Sequence, residues 1–283
     1  MILVTGATGN VGSNVVAQLA EAGEKVRVLT RDPARHSFPE HVEVVPGDLT
    51  RPETLSQALD GVERTFLFPV HAGLDAFLDA ARLSDLQHIV LMSTAAVTYT
   101  MPTWIGEQHL SLERAVAASG LAWTFVRPGY FATNDLAWVP QLKAGDVVRG
   151  VYGNAGLTPI DPRDIAAVSV RALLDERVGE SFLLTGPEPL TAIDRVRIIA
   201  ETIGRPLRFE ELPHELYREQ MLQHGMPAPV IDDMLEGLAA LDGKTEPVLP
   251  TIEEVTGRPP FTYAQWVAHR AAAFGPAPVT PVH

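Results

Sequence analysis

Gly6, Gly9 and Gly12 stand at three-residue intervals directly behind a short apolar run, Ile2-Leu3-Val4. A residue without Cβ permits a tight turn and lets backbone N–H groups approach an anion, and a helix that begins beside the turn adds its positive end. Phosphate binding is the chemistry this spacing suits. The pattern is Gly-x-x-Gly-x-x-Gly, not the Gly-x-Gly-x-x-Gly of many dinucleotide loops, yet its surroundings fit. A strand at 1–5 precedes it, and Val11, Val15, Val16 and Leu19 recur at helical spacing over 10–22. Gly6, Thr8, Gly9, Asn10, Val11 and Gly12 are therefore the candidate phosphate loop. The alternative, glycines serving turn geometry alone, stays open at this stage.

Further candidates lie where later strands should end. Thr30-Arg31-Asp32-Pro33 follows the second predicted strand, the place where a carboxylate would accept from a ribose 2′-hydroxyl and an arginine would pair a 2′-phosphate. Arg31 comes first and Arg35 follows, which favours NADP(H); Asp32 keeps NAD(H) as the alternative. Asp48 and Leu49 end the third strand at the level of an adenine, although Asp48 could equally cap the next helix. Phe68 and Pro69 end the fourth, and Ser93 ends the fifth, able either to hydrogen-bond a carbonyl or to cap its own strand end.

These residues need an alternating framework. Strands are predicted near 1–5, 25–30, 42–46, 63–68, 87–92 and 122–127, with helices near 10–22, 52–59, 73–83 and 105–119. That rhythm builds an α/β doubly wound parallel sheet, the Rossmann arrangement, whose crevice lies at the carboxyl ends of the strands. Residues 1–129 are read as the dinucleotide-binding core and 130–274 mainly as a small, mostly helical substrate lobe, within one NAD(P)-binding domain spanning 1–274. A late core strand near 181–185 and a helical pair over 213–241 fall in the lobe. Asp161-Pro162-Arg163-Asp164 starts a helix running to about Glu176, and 275–283 is expected to be a flexible tail.

Composition narrows the classes. The chain has 35 acidic and 22 basic residues, a net charge of −13 and no basic stripe, which disfavours direct nucleic acid binding. It has no cysteine and no apolar run near the ~20 residues that span a bilayer. A cytoplasmic protein without a leader peptide and without a membrane is expected, acting on a small molecule, with an oligomer or protein partner left open. Nine scattered histidines offer no metal spacing, and neither a Gly-x-Ser-x-Gly elbow nor a Walker lysine occurs.

Gly6-Ala-Thr-Gly-Asn-Val-Gly12, Gly47-Asp48-Leu49, Met92-Ser93-Thr94, Ser119-Gly120-Leu121, Val126-Arg-Pro-Gly-Tyr-Phe131 and Asp161-Pro-Arg-Asp-Ile-Ala166 together resemble an atypical short-chain dehydrogenase/reductase. Within it the chain is similar to the NmrA-like group, and Glu254-Val-Thr-Gly-Arg-Pro-Pro-Phe-Thr-Tyr-Ala-Gln-Trp266 carries the likeness to its bacterial members. The resemblance implies an NADPH-dependent oxidoreductase passing hydride to a small apolar or aromatic acceptor such as a quinone or enone. It also admits an NADP-sensing regulator without catalysis, and an isomerase or cyclase on the same fold.

Where the larger family places a tyrosine and, four residues later, a lysine, this chain has Ile105 and His109, and no lysine occurs between Lys25 and Lys143. His109 is the substitute expected to donate a proton or hold a ribose, with pairing to Glu113 as the bland alternative. Tyr99, in the loop after Ser93, and Tyr130, after the sixth strand, are the tyrosines either of which could face the nicotinamide. His109, Tyr130 and Ser93 form the catalytic set.

Overall fold

The computed structural model describes residues 1–175 and 177–275. Strand β1 (Ile2–Val4) leads into α1 (Gly12–Glu21), and β2 (Val26–Thr30) precedes β3 (Glu43–Pro46), α2 (Leu55–Leu59) and β4 (Arg64–Leu67). Next come α3 (His71–Arg82), β5 (His88–Met92), α4 (Trp104–Ala117) and β6 (Ala122–Pro128). Then follow α5 (Val139–Ala144), β7 (Val147–Gly150), α6 (Pro162–Leu174), β8 (Ser181–Leu184), α7 (Ala192–Ile203) and β9 (Arg208–Glu211). Helices α8 (His214–Gln223), α9 (Ala228–Leu241), α10 (Thr251–Thr256), α11 (Tyr263–His269) and α12 (Ala271–Phe274) complete the chain.

Seven strands form one sheet in the order β3-β2-β1-β4-β5-β6-β8, every pair parallel. The doubly wound α/β sheet predicted from the sequence is the one observed. Strands β1, β2 and β5 are buried along their whole length, so β1 and residues 89–92 of β5 read as unbroken apolar runs, whereas β2 carries Arg27, whose guanidinium pairs with Glu43. Val15, Val16 and Leu19 of α1 and Phe77 of α3 are buried, each contributing roughly 1.5–3 kcal/mol. The strand order turns back between β1 and β4, so the crevice opens beside the loop that follows β1.

The chain divides into two units. The first comprises 1–128, 162–184 and 251–258; the second comprises 129–161, 185–250 and the described residues from 259 on. Helices α6 and α10, within the span 130–274 read mainly as lobe, belong with β8 to the first unit. A seventh parallel strand needs a crossover, and α6 supplies it, burying Ile165, Ala166, Val168 and Leu173. Gln18 Nε2 donates to the Arg163 carbonyl at 3.0 Å, and Arg64 Nη1 to that of Leu173 at 2.9 Å. Buried Asp164 pairs with Arg258 Nη2 at 2.8 Å, tying the segment after α10 to the start of α6.

The second unit packs Val148, Leu190, Val196, Ile199, Trp266 and Phe274 in one core. It also holds a parallel two-stranded sheet, β7 with β9, that the sequence reading missed. Arg208-Phe-Glu-Glu211 is too short and too charged to show an alternating period. Helices α8 and α9 form the expected pair around Ile231 and Leu235. Glu176 and residues 276–283, most of the expected tail, lie outside the described residues.

Candidate functional site

The loop after β1 is shaped by its glycines. Gly6 adopts φ +61°, and a Cβ there would lie 2.8 Å from the Phe68 Cβ, so glycine is required for conformation and for space. Thr5 fixes the neighbouring strand end: its Oγ1 donates to the Phe66 carbonyl at 3.3 Å and accepts from the Phe68 N–H at 2.7 Å. Gly9 N–H closes a turn onto the Gly6 carbonyl at 3.0 Å, and Ser13 N–H bonds Gly9 in turn. A Cβ at Gly12 would meet the Gly6 carbonyl oxygen at 2.2 Å, whereas one at Gly9 would meet only that oxygen, at 3.3 Å.

Helix α1 begins beside this turn with no side-chain cap and no acidic residue in its first turn. No side chain takes its first N–H groups, and that of Ser13 turns back to the Gly9 carbonyl, so the positive end of the helix is left to an outside anion. Thr8, Gly9 and Asn10 are exposed, and the Asn10 carbonyl accepts from Asn14 Nδ2 at 2.7 Å. Val11 is buried, so only its backbone can serve a ligand. The same holds for Leu49, whose side chain belongs to the hydrophobic core and which could serve a ligand only through its backbone.

At the ends of β2 and β3, Arg31, Pro46, Gly47, Asp48, Arg51 and Thr54 line a cavity of about 260 Å³. Arg31 is exposed, and no hydrogen bond or ion pair among the described residues holds its guanidinium. Asp32 pairs with Arg35 at 3.4 Å. The Asp48 carboxylate caps its own loop, accepting from Thr50 N–H and Thr50 Oγ1 at 2.9 Å each. That backbone N–H, with the charges of Arg31 and Arg51 adding, holds Asp48 below the usual carboxylate range. Phe68 is half-exposed beside Gly6, with Pro69 following.

Ser93 ends β5 with its N–H on the Val126 carbonyl at 2.7 Å, while its Oγ is buried and has no partner. Capping falls instead to Thr94, which accepts from Ala96 N–H. Helix α4 approaches this segment because Gly106 lacks a Cβ, which would lie 2.7 Å from the Ala96 carbonyl oxygen. That helix carries His109, whose Nδ1 is also buried without a partner. Glu113 does not pair with it; both its oxygens are taken by Arg127, at 2.9 and 2.6 Å. Burial first, and the neighbouring charge of His71 second, press the His109 pKa down against the pull of Glu113, so the imidazole is neutral near pH 7.

Tyr130 requires a correction. It lies in the second unit, and its hydroxyl donates to Asp135 Oδ1 at 2.7 Å. Arg195 Nη1 reaches the same oxygen at 2.6 Å, Tyr263 donates to Oδ2 at 2.6 Å, and the guanidinium lies over the Tyr130 ring at 4.8 Å. Burial and the Asp135 charge push the phenol pKa well above its ordinary value. In this arrangement the hydroxyl proton is directed at Asp135. Asp135 lies only five residues from Tyr130, but Arg195 and Tyr263, which complete the cluster, are 60 and 128 residues from Asp135 and share no spacing with it. The one local signal is a charge on an apolar face, Arg195 among buried Ala192, Val196 and Ile199.

Residues 6–176 match the family model described as NAD(P)H-binding. The chain belongs to that NAD(P)H-binding family. It is 39% identical over 283 residues, with 98% of this chain and 100% of the relative covered, to a (4-alkanoyl-5-oxo-2,5-dihydrofuran-3-yl)methyl phosphate reductase of Streptomyces griseus. An NAD(P)H azoreductase of Xenophilus azovorans is 35% identical at the same coverages. Among solved structures, the NADPH-dependent quinone oxidoreductase of Escherichia coli in complex with NADPH superposes with a TM-score of 0.80. Identity there is 23%, over 95% of this chain and 99% of the other. The resemblance drawn from the motifs holds, and the chain is an NAD(P)H-dependent oxidoreductase. Its residues fit the cofactor: a turn without Cβ atoms, an uncapped helix start and unpartnered polar atoms at the ends of β2 and β5. No helix among the described residues is long and apolar enough to cross a membrane.

Proposed function

We propose that this chain reduces a conjugated acceptor, a quinone, azo compound or α,β-unsaturated carbonyl, with NADPH bound on Gly6, Gly9, Gly12 and Arg31. The observation that carries this reading is the buried, unpartnered Ser93 Oγ at the end of β5. A buried hydroxyl without a partner costs about 1–3 kcal/mol, which a ligand oxygen would relieve. When bound, the dinucleotide supplies hydride. Ser93 would donate to the acceptor atom that gains negative charge on reduction, the carbonyl oxygen of a quinone or enone or the second nitrogen of an azo group. The product anion is delocalised, so a strong acid held by a Tyr–Lys pair is not required.

His109, neutral by burial, orients a hydroxyl or relays a solvent proton; it does not act as an imidazolium acid. The relatives support this acceptor class, since the dihydrofuran and azo compounds in their names are conjugated. A cytoplasmic setting accords with a chain free of cysteine.

Calorimetry with NADPH, followed by NADPH consumption against quinones, azo dyes and unsaturated lactones, tests the reading. Turnover of at least one class, lost in Ser93→Ala, is expected. Tight binding with no turnover of any class would return the chain to a sensing role.

A further inference from the structure

The cavity between the ends of β2 and β3 holds two arginines, and the function above uses only Arg31. Arg51 lies twenty positions later in the loop that follows β3, and it lines the same 260 Å³ space. We propose that Arg51 is a second arginine for a phosphate on the adenosine ribose, forming with Arg31 a clamp that sets the preference for NADPH over NADH. This rests on the reading that the chain binds NADP(H).

The loop is built to hold Arg51 in place. Its backbone N–H donates to the Asp48 carbonyl at 2.9 Å, and its own carbonyl accepts from Thr54 N–H at 2.9 Å and Thr54 Oγ1 at 2.8 Å. Thr54 Oγ1 also accepts from Asp48 N–H at 3.2 Å, so this hydroxyl is scaffold and not ligand. On the side chain, Glu53 Oε1 takes Nε at 2.9 Å and Nη2 at 2.8 Å, which orients the guanidinium by one edge and leaves Nη1 without a partner among the described residues.

Asp48 stands beside both guanidinium groups but spends an oxygen on Thr50 and makes no ion pair with either arginine. Glu53 offsets the charge of Arg51 along one edge from outside the cavity lining, and Asp48 is preoccupied, so the N–H donors left facing the cavity are the guanidinium of Arg31 and the remaining end of Arg51. A dianionic monoester is the group that satisfies both, each arginine offering the paired N–H donors that match phosphate oxygens. Arg51 is 66% exposed, so its replacement leaves the core untouched.

The experiment measures NADPH, NADH, 2′,5′-ADP and 5′-AMP affinities of the wild type, Arg51→Ala, Arg51→Lys and Arg31→Ala. Arg51→Ala is expected to lower the NADPH/NADH affinity ratio about ten-fold or more, with the same loss of 2′,5′-ADP against 5′-AMP. Arg51→Lys, which keeps the charge and loses the fork, should recover part of it. If Arg31→Ala lowers the ratio and Arg51→Ala does not, the clamp is overturned while the NADPH reading stands. If the wild type itself does not distinguish the paired ligands, both fail together.

Discussion

Gly9→Val and Gly12→Ala separate what the glycine loop does for a ligand from what it does for the fold. The new Cβ at residue 12 would stand 2.2 Å from the Gly6 carbonyl oxygen and 2.7 Å from its carbon, both backbone atoms. Neither can rotate away, so the turn must move, at about 1–3 kcal/mol for an overpacked site. At about 2–4 °C per kcal/mol, Tm should fall by about 2–12 °C. The added group at residue 9 meets one atom at 3.3 Å and otherwise open space. Gly9→Val should therefore move Tm by no more than a few degrees, because a small shift of the turn absorbs a single contact. Its branched side chain stands over the uncapped start of α1 and blocks the approach of a pyrophosphate. Loss of about 2–3 kcal/mol of binding corresponds to about 30- to 150-fold weaker NADPH. Calorimetry and thermal unfolding on the two variants give the answer. Unchanged NADPH affinity in a folded Gly9→Val protein would refute the phosphate-loop assignment, and an undiminished Tm in Gly12→Ala would refute the packing argument.

Ser93→Ala removes a buried hydroxyl that has no partner, so stability should hold or rise by up to about 1 kcal/mol while turnover falls; a loss of both would make the serine structural. Tyr130→Phe should cost about 0.5–3 kcal/mol through its bond to Asp135 yet leave turnover within a few-fold, and a hundred-fold fall in kcat would restore it as proton donor. Asp135→Ala should destabilise far more, by about 3–5 kcal/mol, since Arg195 stays buried with its charge uncompensated; chemical denaturation reads the difference. His109 has a pKa below its unfolded value of 6.5, so the unfolded chain binds more protons and stability must decline as pH falls through and below that value. His109→Asn should flatten that part of the pH–stability curve, and an unaltered slope would show that burial of the imidazole contributes nothing.

The alternation of strands and helices through residue 128 was legible because each element is announced within its own span: a short run rich in β-branched and apolar residues for a strand, a 3.6-residue period for a helix. The glycine loop was legible for the same reason, since Gly6, Gly9 and Gly12 meet within one turn and a half. Arg31 could be placed because it directly follows β2. Other features depend on distances that only packing sets. Membership of α6 and α10 in the first unit follows from where β8 adds to the sheet, and the pairing of β7 with β9 joins segments whose own patterns are mute. Ser93 reads equally as a cap or a ligand until Thr94 takes the capping role and burial strips the serine of water. Tyr130 sits beside a strand end as a catalytic tyrosine would, and only the arrival of Asp135, Arg195 and Tyr263 turns its proton inward. Local geometry along a chain is dictated by neighbours a few bonds away and can be read from residue order. The partner of a buried polar group is chosen by the whole fold, which brings together residues that share no spacing.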